Sequence, residues 1–390
     1  MIRHLITCEY PPQTGGVSDY SYLVAAGLAA RGEEVHVWCP GHTVDNSPTS
    51  EVIVHRTLGS IAPADLLRVG RQLDQFPAHR HILVQWVPHG YGYRSMNLGF
   101  CLWLLHRSVL RGDRVEVMVH EPYLAFTAGA LWQNIGAVVH RLMTMILLGA
   151  TRQVWISIPR WEARLRPYTL GRRICFRWLP VPSNIRVADQ PGAVQTVRRR
   201  YAQDSLLVGH FGTFGTAVTS VLEPVLVSLH ERGSLHKVVL MGRGSQRFLG
   251  ELIGRRPELA GRVFATGALT ETELSVHVAA CDLLVQPYSD GVSCRRGSTM
   301  LALSHGKAVV TTSGHLTEPF WKDSGAVAIA PVSDVTRLVE LIEQLESDPQ
   351  SRVRLGAAAR HLYEQRFDIS HTIAALRGEP DSVLQSACVS

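Results

Sequence analysis

The chain has 390 residues, 46% of them apolar and 18% charged, with glycine and proline scattered rather than clustered, which excludes disordered, collagen-like and low-complexity classes. At roughly 100 to 200 residues per domain, two domains are expected. The charge is +6, from 39 Lys plus Arg against 33 Asp plus Glu, and only Lys237, Lys307 and Lys322 are lysines. This mild, guanidinium-dominated excess suits anionic small molecules or an anionic membrane surface, and the lack of a clustered basic stripe speaks against nucleic acid.

In chain order, His4 to Cys8 reads as a buried strand, Ser18 to Arg31 as an apolar helix closed by Gly32, and Glu34 to Cys39 as a second strand, a βαβ unit. Further strands are expected at Val52 to His55, His81 to Trp86 and Val115 to His120. The helix Leu131 to Ala150 then leads to a strand at Val154 to Ser157. The prolines of Trp178-Leu179-Pro180-Val181-Pro182-Ser183-Asn184 break the pattern and mark a linker over 181–200. Strands at Leu206 to Phe211, Lys237 to Met241, Val263 to Ala265, Leu283 to Gln286 and Ala308 to Thr311 follow. Between them come helices at Thr219 to His230, Glu271 to Ala280 and Ser298 to Ser304, and then helices at Asp334 to Leu345, Ser351 to Tyr363 and Ser370 to Leu376. Such alternation predicts two parallel α/β domains.

The seven cysteines are odd in number and hold no C-x-x-C pair, so no disulfide framework and no metal site is expected, and the chain reads as cytoplasmic. Leu131 to Ala150 is interrupted by Gln133, Asn134, His140 and Arg141, which favours a core or surface helix over a membrane span.

Ligands of open α/β sheets bind beyond the carboxyl ends of strands, which directs attention to four loops. In Glu9 to Ser18, Gly15-Gly16 clears side chains from a helix N-terminus, where free N–H groups favour an anion; this is not G-x-G-x-x-G, so a nicotinamide dinucleotide is not supported. His120 ends a buried strand, where it can bond a sugar hydroxyl or be satisfied by backbone. The loop Val87-Pro88-His89-Gly90-Tyr91-Gly92-Tyr93-Arg94 has a composition that suits a sugar-stacking or acceptor loop and equally a plain surface loop. In Pro287 to Thr299, the guanidinium groups of Arg295 and Arg296 meet the N–H groups of Gly297, Ser298 and Thr299 at a helix start, a combination suited to phosphate.

Five segments, Glu9-Tyr10-Pro11-Pro12 with Gly15-Gly16, Val119-His120-Glu121-Pro122, Leu179 to Ile185, Met241-Gly242-Arg243-Gly244-Ser245 and His305 to Val310, resemble in order the landmarks of retaining glycosyltransferases of the GT-B fold, family 4. The resemblance spans nearly the whole chain. It implies an α/β fold of two Rossmann-like parallel-sheet domains facing an interdomain cleft. An acceptor-binding domain over 1–180 and a nucleotide-sugar-binding domain over 201–365 are implied, with a crossover helix and tail over 366–390 that returns to the first domain. It further implies a metal-independent transfer of sugar from a nucleotide-diphosphate sugar to a hydroxyl of a glycan, lipid-linked or small-molecule acceptor, without another cofactor. Catalytic roles fall to His120, Arg295 and Arg296. Donor contacts fall to Gly15, Gly16, Gly212, Thr213, Arg243, Gly297, Ser298 and Thr299.

Two departures set this chain apart. The loop His210 to Thr216 lacks the family's Arg and Lys for the diphosphate, and Ser293 and Leu301 stand where the family carries paired glutamates. Two alternatives therefore accompany the transferase reading: a non-catalytic nucleotide-sugar or polysaccharide binder, and a nucleotide-sugar epimerase using Glu121 or Glu318. Glycosyltransferases acting on lipid-linked acceptors also suggest peripheral inner-membrane contact through the helix Leu131 to Ala150.

Overall fold

The computed structural model of the chain describes residues 1–41, 51–92, 95–203, 205–234 and 236–379. Contacts divide it into two units, residues 1–180 with the segment from Ile369 onward, and residues 181–368.

The first unit holds seven strands: β1 (Ile2–Ile6), β2 (Glu34–Trp38), β3 (Val52–His55), β4 (His81–Trp86), β5 (Arg114–Val119), β6 (Thr151–Ile156) and β7 (Cys175–Trp178). They form one sheet in the order β3-β2-β1-β4-β5-β6-β7, with every pair parallel. Its helices are α1 (Gly16–Ala29), α2 (Pro63–Leu73), α3 (Leu98–Leu110), α4 (Leu131–Ala150) and α5 (Arg160–Leu165). Central strands β4 and β5 are buried along nearly their whole length, as expected of a parallel sheet covered on both faces.

The second unit has six strands: β8 (Leu207–Phe211), β9 (Lys237–Met241), β10 (Val263–Ala265), β11 (Leu283–Gln286), β12 (Ala308–Ser313) and β13 (Ala328–Pro331). Their order is β10-β9-β8-β11-β12-β13, again all parallel. The helices are α6 (Pro191–Tyr201), α7 (Thr216–Glu231), α8 (Ser245–Arg255), α9 (Glu271–Ala280), α10 (Gly297–Ser304), α11 (Phe320–Asp323), α12 (Val335–Ser347) and α13 (Pro349–Arg366). Leu222, Val225 and Leu226 of α7 pack with Val238, Leu283, Val310, Leu338 and Ile342 in its core.

The last helix, α14 (Ile369–Arg377), belongs to the first unit. Arg3 Nη2 donates to the Leu376 carbonyl at 3.1 Å and Arg377 Nη1 to that of Arg31 at 2.8 Å. Ile373 fills the space that a Cβ on Gly27 of α1 would need, 2.7 Å away.

The segment expected as linker over 181–200 is irregular only as far as Gln190, because α6 occupies the remainder. Pro191 and Gly192 form the first turn of α6, where a missing N–H costs nothing. Five further helices (α2, α3, α5, α8 and α11) and the edge strands β7 and β13 have no counterpart among the elements expected from the sequence. The first strand lies two residues earlier than expected, and the residues after Glu379 lie outside those described.

Both sheets reverse direction once. In the first, β1 lies between β2 and β4; in the second, β8 lies between β9 and β11. Such a switch point separates the loops on its two sides and opens the crevice in which doubly wound sheets hold ligands.

Candidate functional site

In the first unit, the loops after β1, β4 and β5 surround the switch point. The N-terminus of α1, expected to accept phosphate, is occupied by the chain itself: Glu9 Oε1 accepts from the backbone N–H of Val17 and of Ser18, both at 3.0 Å. Gly15 is the N-cap residue, and a Cβ there would stand 2.6 Å from Glu9 Cδ. Gly15 thus admits a carboxylate of the chain; Gly16 has open space around its Cα. An anion at this helix start has to displace Glu9.

His120 follows β5 directly and is half-buried. Its Nε2 lies 2.8 Å from Gln85 Oε1 on β4, and its ring meets that of Tyr20 on α1 edge to face at 4.8 Å. Its own carbonyl accepts from Trp161 Nε1 at 3.0 Å. With Nε2 donating to Gln85, Nδ1 carries the lone pair. Burial pushes the imidazole pKa down to about 4, so at neutral pH it is an uncharged donor and acceptor rather than an imidazolium. Gln85 Nε2 and the Tyr20 hydroxyl, of the two residues that touch the ring, are both buried without a hydrogen-bond partner. Three elements, α1, β4 and β5, thus converge on His120, and neither orphaned group was visible in the sequence.

The loop after β4 departs from its expected role. Tyr91, an aromatic expected to stack on a sugar, is fully buried, donates its hydroxyl to the Gln85 carbonyl at 2.6 Å and stacks between Trp86 and Phe100. It is a core residue, and Tyr93 and Arg94 lie outside the described residues. Glu121 Oε2 stands 3.6 Å from His89 Nδ1 on the exposed side of the loop.

In the second unit, the sheet order β9-β8-β11 sets three strand-end loops side by side. After β8, the Gly212 N–H donates to the Met241 carbonyl at 3.2 Å. After β9, Gly242 has φ +111°, and a Cβ on it would press on the Gly212 carbonyl, so the two turns can touch only through glycine. Gly244 also lies at positive φ, under the Thr213 carbonyl, where it starts α8. Gly212, Thr213 and Arg243 are therefore neighbours, with Thr213 and Arg243 exposed. His210 is buried beside them. Its Nδ1 bonds the Val285 carbonyl at 2.8 Å, its Nε2 has no partner, and burial lowers its pKa to about 4.

The loop after β11 is tied to this group by the Ser289 N–H, which donates to Ala217 at 3.1 Å. Arg295 and Arg296, read as suited to phosphate, converge on a carboxylate that sequence reasoning missed: Asp290 Oδ2 lies 3.0 Å from Arg295 Nη2, and Asp290 Oδ1 contacts Arg296 Nη2. Arg296 also lies over the Tyr288 ring, 4.5 Å from its centre. The Tyr288 hydroxyl bonds Ser298 Oγ at 2.7 Å and Thr299 Oγ1 at 2.9 Å, so both hydroxyls serve the loop. Of the three N–H groups assigned to phosphate, that of Thr299 bonds the Arg296 carbonyl at 3.0 Å.

Gly291, at φ +86°, lets this loop close on Gly314, whose own Cβ would lie 2.6 Å from the Asp290 carbonyl carbon. Ser293 and Leu301, at the positions of the paired glutamates, are both fully buried. Glu318 is the buried acid nearby. It accepts from the Cys294 N–H at 3.1 Å and from Trp321 Nε1 at 2.9 Å, and burial raises its pKa. With both oxygens so engaged it braces the loop. Among the described residues no three or more His, Cys, Asp or Glu side chains are grouped so as to hold a metal ion.

No protein-family model matches the chain, and no curated protein sequence matches it. Solved structures do. Sucrose-phosphate synthase from Thermosynechococcus elongatus is similar over 97% of each chain, with 17% identity and a TM-score of 0.72. HepE from Anabaena in complex with UDP and glucose is similar over 97% of this chain and 99% of its own, with 15% identity and a TM-score of 0.67. WaaG, a glycosyltransferase involved in lipopolysaccharide biosynthesis, is similar over 97% of this chain and 100% of its own, at 16% identity and a TM-score of 0.62. These proteins have the GT-B fold, and the seven- and six-stranded parallel units of this chain are that fold.

Proposed function

We propose that the chain is a glycosyltransferase that moves a sugar, with retention at the anomeric carbon and without a metal, from a nucleotide-diphosphate sugar to a hydroxyl of a glycan, lipid-linked or small-molecule acceptor. The observation that carries this reading is the convergence of Arg295 and Arg296 at the start of α10, at the carboxyl end of β11 and beside the switch point of the second sheet. Among the similar structures, HepE is in complex with UDP and glucose and a trehalose-6-phosphate protein of E. coli is bound with UDP-2-fluoro glucose, which supports a nucleoside-diphosphate donor.

In this reading residues 201–365 take the donor and residues 1–180 the acceptor. The two guanidinium groups and the Gly297 and Ser298 N–H groups hold the leaving diphosphate, supplying charge stabilisation as its bond to the anomeric carbon lengthens. The acceptor oxygen bonds that carbon from the same face as the diphosphate leaves, and its proton passes to the departing phosphate oxygen. Neutral His120 contributes a hydrogen bond to the sugar, with Gln85 fixing the ring. Glu318 is assigned no part in the transfer, because its two oxygens hold the Cys294 N–H and the Trp321 indole within the loop.

A second reading, a binder without turnover, is favoured by the buried Ser293 and Leu301 at the glutamate positions. Thermal shift against a panel of nucleotide-sugars, followed by product analysis with sugar and lipid-linked acceptors, separates the two. A ligand at a hundred times its Kd adds about 2.7 kcal/mol of stability. A glycoside of unchanged anomeric configuration is the expected product. Stabilisation without product supports the binder, an isomerised sugar nucleotide the epimerase, and no stabilisation by any nucleotide-sugar overturns the proposal.

A further inference from the structure

A polar cavity of about 680 Å³ lies in the second unit, between the turn that follows α7 and the last turns of α12. His236, in its wall, directly precedes β9, so the cavity sits at the amino end of that strand, the opposite end from Gly242 and the donor loops. Its volume is that of a small-molecule site rather than of a lone ion.

Helix α12 buries Leu338, Val339, Ile342 and Leu345 and presents Glu340, Glu343 and Ser347, at i, i+3 and i+7, to the cavity. Two of the three carboxyls in the wall are already matched. Glu340 Oε2 takes Arg337 Nη1 at 2.8 Å, while Glu343 takes Arg232 Nη1 at 3.0 Å and Ser234 Oγ at 2.7 Å. Glu346 has no such match. Its side chain is 7% exposed, its Oε1 is buried without a hydrogen-bond partner, and its Oε2 stands 3.7 Å from His236 Nε2, beyond hydrogen-bond reach. Arg352 of α13 directs its Nη1 to the backbone carbonyls of Leu345 and Glu346.

The helix itself asks for a positive charge at this point. Glu346 lies in the last turn of α12, at the negative end of the helix dipole, and that turn contains no basic residue. Burial, with Glu343 beside it, raises the Glu346 pKa to about 7, Arg352 acting in the opposite sense. A ligand that brings both a positive charge and N–H donors to Oε1 satisfies the orphaned oxygen and the uncompensated charge together. A neutral hydroxyl supplies the hydrogen bond without the charge. A metal ion needs several ligands at once, and among the described residues no three His, Cys, Asp or Glu side chains are grouped to hold one.

We propose that this cavity is a binding site for a small organic amine in its ammonium form, which donates to Glu346 Oε1 and lies against Glu340 and Glu343. The inference stands on the second unit alone and does not depend on glycosyl transfer. The probe is 1,4-diaminobutane, with 1,4-butanediol as its uncharged counterpart. Both are titrated calorimetrically into the full chain, into Glu346→Gln and into the control Glu251→Gln on α8.

One equivalent of the diamine should bind with a Kd at or below about 1 mM, and the diol should not bind. The diamine is cationic throughout the range from pH 6 to 8, whereas Glu346 has to lose its proton as the ammonium arrives. Affinity should therefore rise about tenfold from pH 6 to pH 8, and about 0.9 proton should be released per diamine bound at pH 6, read from two buffers of different ionisation heat. Glu346→Gln should weaken binding at least about tenfold and abolish the proton release without lowering the melting temperature, while Glu251→Gln should bind as the parent does. Were Glu346→Gln to melt lower, the proton release of the parent decides alone. Absence of saturable binding, equal binding of the diol, or unchanged affinity in Glu346→Gln overturns the proposal. A pH dependence that persists in that variant assigns the titration to His236 and overturns it, as does displacement of the diamine by an equal concentration of magnesium chloride. No readout uses turnover, so failure here leaves the transferase reading where it stood.

Discussion

Asp290→Asn should tighten the binding of a nucleoside diphosphate. Asp290 offsets one of the two guanidinium charges in the free protein, and a phosphate that reaches Arg295 and Arg296 comes within roughly 5 Å of its carboxylate, where two unit charges repel by about 3 kcal/mol at an effective dielectric of 20. The three side chains are 18 to 23% exposed, so solvent and movement of the carboxylate reduce this to about 1 to 2 kcal/mol. Asparagine keeps an oxygen that accepts from one guanidinium, and so removes the charge while preserving much of the loop. Titration calorimetry with UDP and with uridine is the assay: UDP affinity should rise roughly five- to thirtyfold and uridine affinity stay constant. Arg295→Ala with Arg296→Ala should act in the opposite sense, each lost charge-assisted contact costing about 1.5 to 3 kcal/mol. A UDP Kd within about twofold of the parent for Asp290→Asn, or a weakening as large as that of the arginine variants, would refute the reasoning and make Asp290 a brace of the loop.

His120→Ala should lower turnover on the order of a hundredfold with donor affinity little changed, as for the loss of one oriented polar contact. It also leaves buried Gln85 Oε1 without its partner, a cost of about 1 to 3 kcal/mol, so melting and specific activity per folded molecule must be measured together; normal activity per folded molecule would leave His120 a packing residue. Gly291→Ala should cost at least about 3 kcal/mol in denaturant unfolding and abolish UDP binding, because the residue sits at φ +86° and its Cβ would lie 2.8 Å from Gly314 Cα; a near-native midpoint would contradict the close approach. Acid should unfold the protein early: burial lowers His4 to about 3 and His55, His120, His210 and His305 to about 4. The unfolded chain takes up protons from its ordinary pKa near 6.5 downward while the folded chain does not. This stability is therefore complete above about pH 6.5 and lost as pH falls toward 4, with His4, 1% exposed, alone contributing at least about 2 kcal/mol by pH 4. A melting temperature that stays flat from about pH 7 to 4 would contradict it.

Strands β4, β9, β10 and β11 and helices α4 and α9 coincide with their sequence spans, because a buried apolar run flanked by Gly or charge has one economical reading. Helix α3 escaped for the opposite reason: Leu98 to Leu110 is apolar on its outward stripe as well as its inward one, so no helical period stands out. The loop Pro287 to Thr299 was legible as a strand end running into a helix start. What faces its arginines was not, since a spacing of five and six residues from Asp290 does not encode side-chain direction. Glu9 is a similar case, a cap supplied from eight positions before Val17, beyond the reach of local capping patterns. Tyr91 went wrong because an aromatic beside glycine in a loop carries no mark of the Trp86 and Phe100 rings that enclose it.

Helix α14 gives the first unit two separate pieces of chain, and this fixes an order of events during synthesis. Residues 181–368 emerge with all the partners they need and can close as soon as Asp368 is clear of the ribosome. The older segment, 1–180, has to wait longer, with Gly27 of α1 bare until Ile373 arrives and Arg3 without the Leu376 carbonyl. The part translated first is thus the last to be finished, and a chain truncated after Asp368 would hold a complete second unit and a first unit still lacking its closing helix.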